Sequence, residues 1–297
     1  MNMVQHDRVQ QFIMNLVMIF LLVICVAPFL LMVMASFTEE QTLIRDGYSF
    51  FPAKFSLATY AYLWKSISTI GRGYLMTILV TVIGTTLNLL LTVLFAYPLS
   101  RQDLPFRGAI SFFLFFTMLF NGGLVPTYMM YANTFHIKDT IWALIVPSLM
   151  MNAFYVIMMR TFFSTSIPVS LIEAAKLDGA AEFKILGKVI LPLSKPMLVT
   201  LILMAGLNYW NDWLNGMYYV SNQKLFTIQM ILTNMIQNIN FLSKNAALFG
   251  ADAARISVPT VGIRMAIAVI AVLPVLVIYP FLQKYFVKGI VIGGVKG

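Results

Sequence analysis

STSIPVSLIEAAKLDGAAEFKILGKVILP, residues Ser164–Pro192, is the stretch on which the reading of the whole chain turns. Apolar runs flank it on both sides, yet Glu173, Lys176, Asp178, Glu182, Lys184 and Lys188 crowd into it. A chain hydrophobic enough to live in lipid that keeps such a polar segment on one side presents a docking surface to something soluble. The local grammar is helical. Pro168 follows serine and threonine, a hydroxyl to cap and a proline for the first turn. Val169, Ile172 and Ala175 recur at helical spacing up to Asp178-Gly179. Glycine permits positive φ, so Gly179 is expected to end one helix and turn the chain into a second. That second helix is expected from about Ala180 through Val189, stopped by Pro192. The pair makes a compact knob. Ala174 and Ala175 keep part of it flat, and Glu173 offers a carboxylate for a bidentate arginine contact.

Working outward, composition settles the class. Hydrophobic residues make up 60% of the 297 and charged residues 10%, whereas a soluble domain carries about 25% charged residues. The chain is membrane-embedded. The single cysteine, Cys25, lies in an apolar run, which excludes a disulfide framework and a thiolate metal cage. His6 and His136 are far apart and suggest no metal site. The net charge of +9 belongs to lysines and arginines beside apolar spans, so it reads as topology rather than nucleic-acid binding.

Crossing the hydrocarbon core takes about 20 mostly apolar residues. Six runs qualify, roughly 12–36, 74–99, 108–131, 140–160, 196–218 and 261–283. The first is read as an uncleaved signal anchor, because no small-residue cleavage site closes it. With the N-terminus inside, the cytoplasmic segments collect Arg8, Arg101, Arg107, Arg160, the lysines of 161–195, and Lys284, Lys288 and Lys296. The positive-inside rule therefore favours both termini in the cytoplasm of a multi-pass protein. The external loops are then about 37–73, 132–139 and 219–260. In the last of these Leu225, Ile228, Leu232, Met235 and Ile239 recur at three- and four-residue steps. They predict an amphipathic helix too polar to span, lying on the outer surface of the bundle. Pro28, Pro98, Pro126, Pro147 and Pro274 interrupt or bound spans.

The sequence Glu173-Ala174-Ala175, three residues, Gly179, nine residues, Val189, one residue, Leu191-Pro192 resembles the EAA loop of binding-protein-dependent ABC importer permeases. Tyr209-Trp210-Asn211-Asp212-Trp213 and Tyr279 through Gly289 are similar to the carbohydrate-uptake, maltose-type branch, in its LplC- and YtcP-like group. The one departure is Val189, where the family usually has isoleucine, a difference of one methylene. The resemblance covers nearly the whole chain. It implies an all-α membrane protein with the type I ABC importer permease fold: six transmembrane helices in one permease domain over 1–297, with a cytoplasmic two-helix coupling loop at 161–195. It further implies that Glu173, Ala174, Ala175, Asp178, Gly179, Val189, Leu191 and Pro192 form the element docking into cytoplasmic ATPase subunits. The implied partners are a second, homologous permease, giving a heterodimer, two copies of an ATPase, an extracytoplasmic sugar-binding protein and the lipid of a bacterial cytoplasmic membrane. The implied cargo is a carbohydrate of oligosaccharide size. No Gly-x-x-x-x-Gly-Lys-Ser/Thr phosphate loop occurs, so the chain is expected to hydrolyse nothing and to bind no cofactor of its own. ATP and magnesium are then expected on the ATPase partners.

Polar residues inside spans are expensive, so their placement is informative. Asn208, Asn211, Asp212 and Asn215 fall at i, i+3, i+4 and i+7 on one helical face of the fifth span, with Tyr209 beside them. Thr81, Thr85, Asn88 and Thr92 form a stripe in the second span, and the fourth offers Ser148, Asn152 and Tyr155. Such groups suit a sugar path, and they equally suit helix–helix hydrogen bonding. The threonine stripe fits the second reading better; Asn211 and Asp212 fit the first. A secondary transporter driven by an ion gradient is the alternative function, with Asp212 its clear candidate for a buried ionisable relay. A membrane-embedded hydrolase fails for want of any catalytic constellation within the spans.

Overall fold

The computed structural model describes residues 2–244 and 260–293, and these residues are overwhelmingly helical, with only an isolated bridge between Thr38 and Phe55. Helix α1 covers Asn2–Ser36, α2 Glu40–Asp46, α3 Ala58–Trp64 and α4 Ile67–Ser100. Arg107–Leu119 is α5 and Leu124–Met129 is α6, which runs on as a π turn over Met130–Thr134. Trp142–Ile145 is α7 and Ala153–Ser166 is α8. The charged stretch holds α9 (Val169–Leu177), α10 (Glu182–Ile185), a π turn over Leu186–Ile190 and α11 (Leu191–Leu193). Then follow α12 (Lys195–Asn211), α13 (Leu214–Tyr219), α14 (Ile228–Lys244) and α15 (Thr260–Gly293).

The chain groups into two compact units, one from residues 1–68 with 234–274 and one from 69–233 with 275–297. In the first, α1 exposes Phe12 through Leu22 along its length, as a lipid-facing helix does. The segment expected as a plain external loop, 37–73, instead contains α2, α3 and the start of α4. Phe37 stacks on Phe55 and Tyr60, and the Ser36 and Tyr60 hydroxyls meet at 2.8 Å. Glu40 accepts the backbone N–H groups of Val261 and Gly262 at 2.8 and 2.9 Å, two of the donors that the first turn of α15 leaves unpaired. A Cβ on Gly262 would stand 2.6 Å from the Thr59 hydroxyl, so only glycine fits this contact.

In the second unit two apolar clusters carry the packing. One joins the end of α4 to α8, α12 and the buried faces of the charged stretch, through Tyr97, Leu99, Val156, Met159, Ile172 and Ile185 among others. The other joins Val80 of α4 to α7, Tyr209 and Tyr219. Helix packing is close where glycines allow it: a Cβ on Gly84 would lie 2.5 Å from the Tyr209 ring, and one on Gly73 would lie 2.5 Å from Ile231.

Three expected spans are broken. The run 108–131 bends by 110° between α5 and α6. Asn121-Gly122-Gly123 makes the corner, with Gly123 at φ +86° and its N–H bonded to the Asn121 side chain at 2.8 Å. The run 140–160 loses its helix from Val146 through Asn152, around Pro147, with Ser148 at φ +62°. Proline removes a donor and restricts the residue before it, which is enough to end α7 there. The run 196–218 stops at Asn211 and restarts at Leu214. Two helices, Gln10–Ser36 and Ile67–Ser100, are by themselves long and apolar enough to cross a membrane. The sixth expected run lies in α15. The amphipathic helix of the 219–260 loop exists as α14, but its first turn is not on an outer surface: Ile228, Ile231 and Leu232 are buried, and the Ile228 N–H bonds the Thr77 hydroxyl of α4 at 2.8 Å. The rest of that loop, 245–259, lies outside the described residues, as do the side chains of the Tyr279–Gly289 motif save Pro280, and residues 294–297 of the basic tail.

Candidate functional site

The charged stretch folds as two arms hinged at a glycine. Pro168 caps α9 in extended conformation, and Gly179, at φ +73°, turns the chain between α9 and α10. Ile172, Ile185, Leu186 and Ile190 are buried beneath the knob, while Glu173, Ala174, Asp178 and Gly179 are exposed on it. Ala175, Val189 and Leu191 are half-buried against the cluster below, so they seat the knob more than they present it. Leu177 and Phe183 are 89% and 79% exposed, two apolar tips that periodicity alone left unassigned. Pro192 does not end the second arm; the helical path continues to Leu193. The widened turn over Leu186–Ile190 gives the proline ring room and absorbs the hydrogen bond it cannot donate.

Charges pin the knob to the rest of the unit. The Lys176 ammonium lies 2.9 Å from Glu182 Oε1, closing the two arms on each other. The Tyr97 hydroxyl of α4 donates to Glu182 Oε2. Together Tyr97 and Lys176 hold the Glu182 carboxyl below the usual carboxylate range. Arg107 and Arg160 both donate to the Leu99 carbonyl, at 3.0 and 3.2 Å, capping the end of α4. Nothing in the sequence pairs Tyr97 with Glu182, since they are far apart and one sits in an apolar run.

The eight polar residues of the spans divide by what they touch. Three bind carbonyls that the break at 146–152 frees: Tyr209 Oη donates to Ile145 O at 3.0 Å, Asn215 Nδ2 to Pro147 O at 3.0 Å and Asn88 Nδ2 to Leu149 O at 2.7 Å. Asn152 closes the gap by accepting from the Phe154 N–H at the start of α8, and Asn208 donates to the Tyr155 hydroxyl at 2.9 Å. Backbone exposed by a broken span must be satisfied within the protein or by water, and Asn88, Asn152, Tyr209 and Asn215 do that. Asn211 is exposed and Asp212 half-buried, both at the α12–α13 break. Asp212 accepts the Asn215 N–H at 3.3 Å. A cleft of about 550 Å³ opens between α4 and α12. The Thr81 and Thr85 hydroxyls and the Trp210 indole N–H line it and find no hydrogen-bond partner among the described residues. Thr92 alone of the threonine stripe bonds a stripe neighbour, Asn88, at 3.5 Å.

Outside the spans, Asp139 accepts the Ser221 and Asn222 N–H groups at 2.5 and 2.8 Å, tying loop 135–141 to the segment after α13. Those two N–H groups, Asn222 first, hold its carboxyl below the usual range.

Comparison with known proteins agrees with this geometry. Residues 89–292 match the family of binding-protein-dependent transport system inner membrane components. The chain is 37% identical over 274 residues, 92% of its length and 93% of theirs, to the polygalacturonan/rhamnogalacturonan transport system permease protein YtcP of Bacillus subtilis. It is equally 37% identical to protein LplC of the same organism, over 92% of this chain and 90% of that one. Among solved structures, a bacterial ABC transporter involved in the import of the acidic polysaccharide alginate superposes with a TM-score of 0.80 at 27% identity, covering 94% of this chain and 97% of that one. All-helical architecture, broken apolar spans and a polar knob on a buried base thus meet in a family match across most of the chain. The chain belongs to the binding-protein-dependent transport system inner membrane components, and it is an ABC importer permease rather than an ion-driven secondary transporter.

Proposed function

We propose that this permease passes an oligosaccharide from an extracytoplasmic binding protein into the cytoplasm, driven by ATP hydrolysed on a separate subunit docked at the 169–192 knob. The observation that carries the docking is the knob itself: a buried apolar base under an exposed top of Glu173, Ala174, Asp178 and the apolar tips Leu177 and Phe183. Small and apolar groups rimmed by carboxylates suit a groove that supplies arginine. The substrate class rests on similar transporters, which are named for polygalacturonan, rhamnogalacturonan and alginate. The discontinuous fourth and fifth spans support a path beside the unwound 146–152 segment and the α12–α13 break that carries Asn211 and Asp212; broken helices are where transporters place solute sites. A second permease covers the remaining flank, two ATPase copies sit below, and both termini lie in the cytoplasm.

The test is purification in mild detergent from host membranes through a tag on this chain. A second permease and an ATPase are expected to come down with it, and uptake of galacturonate oligosaccharides by intact cells is expected to stop on ATP depletion but not on uncoupling. Sugar uptake by the isolated chain in liposomes without ATP would overturn the proposal.

A further inference from the structure

We infer that Tyr97, Glu182 and Lys176 form the mechanical link by which movement of the knob reaches the unwound segment of the fourth span. The inference rests on the knob being the ATPase dock, and it assigns to these three side chains a positioning role.

Each carboxylate oxygen of Glu182 has a different partner. Oε1 takes Lys176 at 2.9 Å, across the Gly179 turn, a half-exposed ion pair that ties the two arms of the knob to each other. Oε2 takes the Tyr97 hydroxyl, which belongs to α4. The ring of Tyr97 is buried and packs edge-on against Phe163, so force on its hydroxyl is delivered to the helix and not dissipated by a rotamer change. Asn88 lies nine residues earlier on the same helix, about 13 Å up at 1.5 Å per residue. It holds the Leu149 carbonyl of the unwound segment at 2.7 Å. The chain of contacts is therefore continuous: Lys176, Glu182, Tyr97, the body of α4, Asn88, Leu149. A cleft of about 360 Å³ beside Tyr97 and Glu182, lined by Leu94, Pro98, Leu104 and Phe183, leaves the carboxylate room to swing without repacking the core. Secondary ties at Lys176–Asp103 (3.8 Å) and Arg101–Asp103 (3.5 Å) are exposed and serve as a looser brace.

The experiment uses the whole transporter, purified with its ATPase from host membranes on a Cys25→Ser background. A reporter thiol, Met151→Cys, lies at an exposed position of the unwound segment, and its rate of reaction with a small methanethiosulfonate is read with and without ATP, magnesium and vanadate. With the link intact, vanadate trapping is expected to change the rate at least about fivefold, the lower end of ordinary site-to-site coupling. Tyr97→Phe, which keeps the buried ring, is expected to abolish that change while the ATPase still copurifies. Glu182→Gln, which keeps an acceptor for Tyr97 but loses the Lys176 ion pair, is expected to fall between. A full nucleotide-dependent change in both Tyr97→Phe and Glu182→Gln overturns the link alone. Absence of ATPase from the preparation without link substitutions overturns the docking reading and the link with it. A merely structural role for Tyr97 would lower the melting temperature and leave the trapped-to-free rate ratio intact, which also overturns the inference.

Discussion

At Gly84 a single hydrogen decides whether two helices can meet. The missing side chain lets the Tyr209 ring lie against α4, and that placement aims the Tyr209 hydroxyl at the Ile145 carbonyl. Gly84→Ala is expected to lower stability by about 1–3 kcal/mol, the usual cost of forcing atoms into a filled site. Gly108→Ala, where a Cβ meets nothing within 4 Å, is expected to be close to neutral. Melting of the detergent-solubilised protein distinguishes the two. Tyr209→Phe keeps the ring and strands a buried carbonyl, so it is expected to cost about 1–3 kcal/mol as well. Asp139 gives a pH signature. Its folded carboxyl titrates below the usual value, so its contribution is fully present above the unfolded carboxylate range and is lost as pH falls through the lowered folded value. Protection of the Ser221 and Asn222 amides from hydrogen exchange, taken relative to the intrinsic rate at each pH, is expected to fall on that acid side, and Asp139→Asn is expected to remove the transition. These residues were visible in the sequence as types, but not as pairs. Asn88, Tyr209 and Asn215 were legible as polar groups in apolar runs; that all three serve one broken segment depends on carbonyls of a different span.

Helix ends, more than helix interiors, set the architecture at the level of elements. Glu40 lies on α2 and caps α15 from more than two hundred residues away, satisfying two N–H groups of its first turn. Glu40→Ala is expected to lower stability by about 0.5–2 kcal/mol, the range for losing an N-terminal cap, with Glu40→Gln retaining part of it; thermal unfolding reads both. The Gly179 turn is the counterpart in the knob. Gly179→Val places a β-branched residue at φ +73°, at a cost of about 1–3 kcal/mol, and is expected to misdirect α10 without blocking membrane insertion. ATPase copurification is expected to fall while the amount of inserted chain is unchanged. The turn itself was readable, because glycine after an amphipathic run has few other uses. The end of the second arm was not. Pro192 normally stops a helix, and here a widened turn before it carries the path on to Leu193.

For the whole molecule, the proposed second permease supplies surface to the proposed solute path. Thr81, Thr85 and Trp210 leave three polar groups without partners among the described residues at the α4–α12 cleft, and such groups in an apolar surrounding are costly when left unpaired. Expressed alone, the chain is expected to unfold at lower temperature than in complex with its partners, since partner binding stabilises the folded state by mass action; melting of the isolated chain against the purified assembly checks this.

Composition and spacing were enough to read the class, the order of apolar runs, the polar knob between the fourth and fifth, and the family to which the EAA-like motif points. They were enough because hydropathy, charge placement and glycine are local properties, legible without a partner. Folding in three dimensions sets where those runs break, which polar side chains satisfy the freed backbone, that α14 tucks its first turn against Thr77, and that Glu182 is held by Tyr97. Those depend on which distant surfaces meet. A hydrogen bond across eighty-five residues leaves no periodicity in the chain that makes it.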